Sequence, residues 1–165
     1  MELKTISKEA LVADTLFLLR ETLRQMTAQA VATAQGATHA ESRSENSKDT
    51  RAIEASYLAR GQAARVTQLE AELAQLQHMP LKFFGPTDSI SASALIRLYS
   101  EENPEIILFL APTGGGNTLV RSPHTIRIVT PLSPLGAAVL GKQLDDLVEF
   151  RLAGKALDYE IIELA

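Results

Sequence analysis

Few side chains in this chain could do chemistry, and their spacing narrows what that chemistry is. There is no cysteine, which removes thiolate zinc sites, cysteine nucleophiles and any disulfide framework, and suits a reducing compartment such as the cytoplasm. His39, His78 and His124 stand far apart with no ligand spacing, so they are expected on surfaces and not around a metal. Gly114, Gly115 and Gly116 lack both the Lys-Ser/Thr ending of a phosphate loop and the Gly-x-Gly-x-x-Gly pattern, so a hairpin loop is expected there. The serines form no Gly-x-Ser-x-Gly elbow. Charge does concentrate between Glu41 and Arg51, where Glu41, Glu45 and Asp49 are matched by Arg43, Lys48 and Arg51. That balance leaves the stretch neutral.

Two long helical patterns position this charged stretch, running away from Ser44–Lys48 in opposite directions. Backwards, Ala40, Ala37, Thr33, Ala30, Met26, Leu23, Leu19 and Leu16 recur at steps of three and four; forwards, Ala52, Ala55, Ala59, Gln62, Val66, Leu69, Leu73 and Leu76 do the same. Such spacing keeps one stripe of each helix against a partner. Opposed positions add to 92 from Ala40 and Ala52 down to Leu16 and Leu76, so the fold-back point is Asn46. Asn46 with Asp49 three residues on has the spacing of a capping box, with Asp in place of Glu. The expectation is an antiparallel coiled-coil hairpin over 1–79 with its tip at 44–48. At 1.5 Å per residue each arm is roughly 45 to 50 Å long. Leu and Val dominate the base of the seam and Ala its tip, which suits a thin probe. Leu11, Phe17 and Leu18 lie off the seam and are expected to meet the rest of the protein at the hairpin's base.

Pro80 ends the second arm, and 80–86 reads as a connector. From 87 to 165 β-branched residues and turn signals take over. Ile90 to Tyr99 alternates with a period of two; Ile106 to Leu110 is a continuous apolar run, expected to be buried on both faces. Thr125 to Val129, Leu147 to Leu152 and Leu157 to Leu164 read as further strands. Ser133 is the N-cap and Pro134 the first residue of a short helix that Gly141 stops. The fold class expected is therefore α+β: the hairpin, then an antiparallel sheet with one short helix on its apolar face. A net charge of -4 argues against general affinity for nucleic acid or anionic lipid. The longest apolar runs are far short of the ~20 residues that span a bilayer, and no signal peptide is expected.

The run Val129-Thr130-Pro131-Leu132-Ser133-Pro134-Leu135-Gly136-Ala137-Ala138-Val139-Leu140-Gly141-Lys142, followed by Val148-Glu149-Phe150 and Tyr159-Glu160-Ile161-Ile162, resembles the C-terminal domain of the GreA/GreB-like transcript-cleavage factors of bacterial RNA polymerase. The likeness covers most of Ile126 to Leu164, and a hairpin of this length before that domain is also the Gre arrangement. The resemblance implies an FKBP-like C-terminal domain that docks on the β′ rim of the polymerase secondary channel while the coiled coil passes down it. It implies that tip carboxylates help hold a second, shared Mg²⁺ at the polymerase's own active site, where hydrolysis of backtracked RNA takes place. Such a protein is an accessory factor, with no cofactor of its own. Glu45-Asn46 matches the family's acid-Asn pair, and Ser42 stands where the family's other acid would be. Glu45 and Asp49, on either side of the turn, are the candidate catalytic and metal-holding carboxylates. Asn46, Thr130, Ser133 and Pro134 are the candidate partner contacts.

Several readings stay open. The factor could stimulate cleavage, or occupy the channel and modulate elongation without cleavage, as the neutral tip would suit. The FKBP-like fold by itself also suggests a peptidyl-prolyl isomerase, on the weak ground of fold alone. A hairpin satisfied by its own second arm predicts a monomer, against an adaptor that dimerises through it.

Overall fold

Side-chain chemistry sets the start of the first helix. The Ala10 N–H donates to Ser7 Oγ at 3.1 Å, and that hydroxyl donates to Glu9 at 2.8 Å, so the orphan amides of the first turn are partly satisfied. The computed structural model describes residues 2–43, 50–152 and 154–165. It contains α1 (Lys8–Arg43) and α2 (Thr50–Gln77), both ending where the sequence predicts. Helix α1 continues through Gly36, whose cost of about 1 kcal/mol is small in a helix of 36 residues. The expected tip, with Glu45, Asn46 and Asp49, lies outside the described residues.

By compactness the chain divides into Met1–Leu16 together with Gln75–Ala165, and Phe17–Ala74. The second unit holds the arms. Burial within it follows the seam: Leu19, Leu69 and Leu73 are buried, while Leu23, Met26, Ala30, Thr33, Ala59, Gln62 and Val66 are half-buried between exposed neighbours. Along α1 the stripe loses burial as its side chains shrink, from buried Leu19 to half-buried Ala30 and Thr33. Phe17 departs from expectation. It is 70% exposed, and Leu18 is 37% exposed, whereas Leu11, in the other unit, is fully buried. Gln62 puts an amide on the seam, and its buried Oε1 has no hydrogen-bond partner. An unmade bond to a buried acceptor costs about 1 kcal/mol or more. Gln62→Leu should therefore raise stability by about 1 kcal/mol, read as a higher urea midpoint in far-UV circular dichroism; an unchanged or lower midpoint would show that the amide is solvated.

The other unit carries six strands: β1 (Leu95–Tyr99), β2 (Ile106–Leu110), β3 (Thr118–Arg121), β4 (His124–Val129), β5 (Leu147–Leu152) and β6 (Lys155–Leu164), with α3 (Pro134–Val139) between β4 and β5. They form one sheet in the order β3-β4-β2-β1-β6-β5. Four neighbour pairs are antiparallel, but β2 and β4 run parallel, Ile107 opposite Ile126 and Phe109 opposite Ile128. The sheet is thus mixed where an antiparallel one was expected. The reason is that the chain leaves β2, turns through the glycine loop into β3, and the β3–β4 hairpin returns with β4 inside, against β2. The first strand is also shorter than its alternation implied. Ser93 has φ 73 and ends a turn, its hydroxyl accepting from the Lys82 N–H at 2.9 Å and its own N–H donating to the Leu110 carbonyl at 2.8 Å.

Strand β2 is buried along its whole length. On one side of the sheet Ile96, Leu98, Leu108, Leu110, Val148 and Ile161 pack with Val139 of α3. The other side is covered too, as the continuous apolar run of β2 implied. Residues Leu3–Thr5 form a short 3-10 turn with Leu3 fully buried, and its N–H donates to Glu163. Glu163 also accepts from Arg97 at 2.8 Å, and Arg97 reaches Glu105 at 2.5 Å. Farther along, Arg121 pairs with Asp14 of α1.

Lys8 is the buried lysine of this unit. Its Nζ donates to the Lys82 carbonyl at 2.5 Å and stands 4.8 Å from the centre of the Phe84 ring. Burial pushes its amine down to about 8, Glu9 pulling weakly the other way. Below that value both folded and unfolded chains carry the proton, and folding bears the full desolvation cost. Between about 8 and the ordinary lysine value of 10.5 the unfolded chain binds more protons, so stability rises with pH across that window. The wild type should gain stability over this range relative to Lys8→Met, which keeps the stem and lacks the charge. Parallel urea curves at pH 7.5 and 10 would check it, and equal changes in the two proteins would contradict it.

Candidate functional site

Ser133 builds the site from the backbone outwards. Its Oγ accepts from the Gly136 N–H at 3.1 Å and donates to the Thr130 carbonyl at 2.8 Å, while its own N–H reaches the same carbonyl at 2.9 Å. Pro134 occupies the first turn of α3, where no N–H is needed. The Thr130 carbonyl thereby becomes the hub of a tight corner. Gly136 packs so closely on it that a Cβ would lie 2.0 Å from that oxygen. Leu132, between the two prolines, is 96% exposed.

This corner forms one wall of a cleft of about 660 Å³ on the face of the sheet that α3 covers. Ile106, Val129, Leu135, Leu157 and Tyr159 supply apolar surface, and Phe150 stacks on Tyr159 with ring centres 5.8 Å apart. The Tyr159 hydroxyl donates to the Pro104 carbonyl at 3.3 Å; burial pushes the phenol above its ordinary value, with Arg127 pulling the other way. Arg127, Arg151 and Glu105 place charge on the lining, and Asn117, fastened to the Gly114 carbonyl at 2.8 Å, adds an amide. An apolar floor with guanidinium groups along its lining suits an apolar side chain flanked by acids. Ser133, the serine on its lining, is occupied in capping α3.

Of the candidate residues, Thr130, Ser133 and Pro134 come together here, Ser133 and Pro134 lining the cleft. Asn46, Glu45 and Asp49 lie outside the described residues. Arg127, Phe150 and Tyr159 were not singled out as site residues. The hairpin register sets Val148 opposite Tyr159 and Phe150 opposite Leu157, which a strand pattern could have hinted at; the approach of α3 could not have been read. Among the described residues no group of three or more His, Cys, Asp or Glu side chains could hold a metal ion, and no helix is long and apolar enough to cross a membrane.

No protein-family model and no curated protein matches the chain. Among solved structures it is similar to GreA factor homolog 1 of Thermus thermophilus, at 14% identity over 91% of this chain and 94% of that one, with a TM-score of 0.39. It is likewise similar to the prokaryotic transcription elongation factor GreA/GreB from Nitrosomonas europaea, at 25% identity over 61% of this chain and 78% of that one, with a TM-score of 0.38. The corresponding protein of Thermus aquaticus matches at 14% identity over 88% and 90%, again at 0.38. These structural neighbours are Gre-type transcription factors. At TM-scores below 0.5 such likenesses transfer no function.

Proposed function

We propose that the chain is a Gre-like factor that binds RNA polymerase at the β′ rim of the secondary channel and modulates elongation, working as a cytoplasmic monomer. The cleft is the docking surface, and the observation that carries the reading is the corner Thr130–Pro134. There the residues that resemble the Gre C-terminal domain form a rigid wall beside an apolar pocket, with Leu132 held out into solvent. Rigid loops with an exposed apolar residue are what a preorganised docking surface needs. The helical arms are the part that enters the channel. Any RNA hydrolysis is carried out by the polymerase, with Glu45 and Asp49 lending carboxylates to a shared Mg²⁺, which prefers a few such oxygens with waters and phosphate.

The neutral charge between Glu41 and Arg51 favours a second version, in which the arms occupy the channel without promoting cleavage. Co-purification with core polymerase tests the common claim, and its failure would remove both versions. A backtracked elongation complex separates them. If the tip carboxylates act, Glu45→Ala/Asp49→Ala should slow RNA shortening at least tenfold with binding unchanged; no shortening by the wild type would leave the non-cleaving version.

A further inference from the structure

Beside α1's first turn lies a second cavity of about 620 Å³, walled by Leu3, Ile6, Leu81 and Phe84, with the exposed Phe83 also on its lining. Lys8 lines it. Among the described lysines, Lys4, Lys82 and Lys155 are exposed and Lys142 half-buried, whereas Lys8 is 8% exposed. We propose that Lys8 is an acyl acceptor, its amine taking an acyl group from a small acyl phosphate that enters this cavity.

Three features of the cavity support the assignment. Hydrogen bonding to the Lys82 carbonyl at 2.5 Å and the Phe84 ring at 4.8 Å hold the amine in one place, and in the neutral amine that bond uses an N–H and leaves the lone pair free for attack. Lys4 and Lys82 also line the cavity, beside Glu9 and Ala165, and offer two ammonium groups to the anionic phosphoryl end of the donor. The lowered amine, at about 8, then supplies the reactive form. At pH 7.5 about a quarter of such an amine is neutral, against about one part in a thousand for an ordinary lysine. Nucleophilicity falls as basicity falls, by roughly tenfold to twentyfold over such a shift if amines follow the dependence known for thiols. A net advantage of about tenfold to twentyfold survives that correction.

In the step itself the Lys8 ammonium first loses a proton to water. The nitrogen lone pair attacks the acyl carbon; the C–N bond forms, the bond from that carbon to the phosphate oxygen breaks, and phosphate leaves with the electron pair. The nitrogen then releases a second proton to solvent. The product amide keeps an N–H for the Lys82 carbonyl and loses the charge that faced Phe84.

Acetyl phosphate is the probe, added to the native full-length protein at pH 7.5, with acetylation at each lysine followed by peptide mass mapping. Lys8 should be modified about tenfold faster than Lys142 or Lys155. Its rate should level off above about pH 8 while that of Lys155 continues to climb, and Lys8→Arg should lack the fast phase. Modification of Lys8 no faster than at the exposed lysines, or only after unfolding in urea, would overturn the proposal and leave Lys8 a packing residue.

Discussion

Gly136→Ala should cost the sheet-bearing unit roughly 3 kcal/mol, with its melting temperature lowered by about 10 °C. A methyl group at that position would meet the Thr130 carbonyl oxygen at 2.0 Å, its carbon at 2.8 Å and Ser133 Oγ at 2.9 Å. Two of these are backbone atoms, held by the hydrogen bonds from Ser133. No rotamer change can relieve them, so the corner must open and α3 must lift, exposing Val139 and the apolar residues beneath it. Gly141 provides the contrast. It has φ +78 with open space around it, so alanine there bears only the left-handed strain, about 1 kcal/mol. Calorimetry of the two variants beside the wild type tests the pair. Equal losses would mean that α3 does not depend on this close approach.

Leu132→Asp should weaken binding to core polymerase at least tenfold and leave stability unchanged. Leu132 is 96% exposed, so it contributes almost nothing to folding, and its removal is felt only where a partner covers it. Burying one leucine stabilises a complex by about 1.5 to 3 kcal/mol, and replacing it by a carboxylate adds the cost of desolvating a charge. Each 1.4 kcal/mol is about a factor of ten in affinity. Phe83→Asp is the matched control, since Phe83 is 94% exposed in the connector and outside the cleft. Fluorescence anisotropy with labelled protein and core polymerase reads both. Unchanged binding by Leu132→Asp, or an equal loss in Phe83→Asp, would remove the Thr130–Pro134 corner from the docking surface.

The local elements of this protein were legible because each is dictated by neighbours in the chain. Ser7, Ser133 and Pro134 start helices through their own side chains or ring, Gly141 stops one by accepting a positive φ, and Ile106 to Leu110 announces a strand buried on both faces. The seam positions also follow from period alone, since a stripe that recurs every three or four residues must be covered by something. What covers the sheet was not legible. That β4 lies parallel to β2, that Leu3 and Glu163 close the second face, that Ser93 turns instead of extending, and that Lys8 is drawn under Phe84 all depend on residues distant in the chain. The cleft belongs to the same class. Thr130, Ser133 and Pro134 could be chosen from a local resemblance, but Arg127, Phe150 and Tyr159 join them only because α3 packs across strands from both ends of the domain. Sequence by itself determined where chain segments stiffen and which sides of them shun water; tertiary packing decided which of those sides meet, because burial free energy depends on apolar area removed from water and carries no label for the partner that removes it.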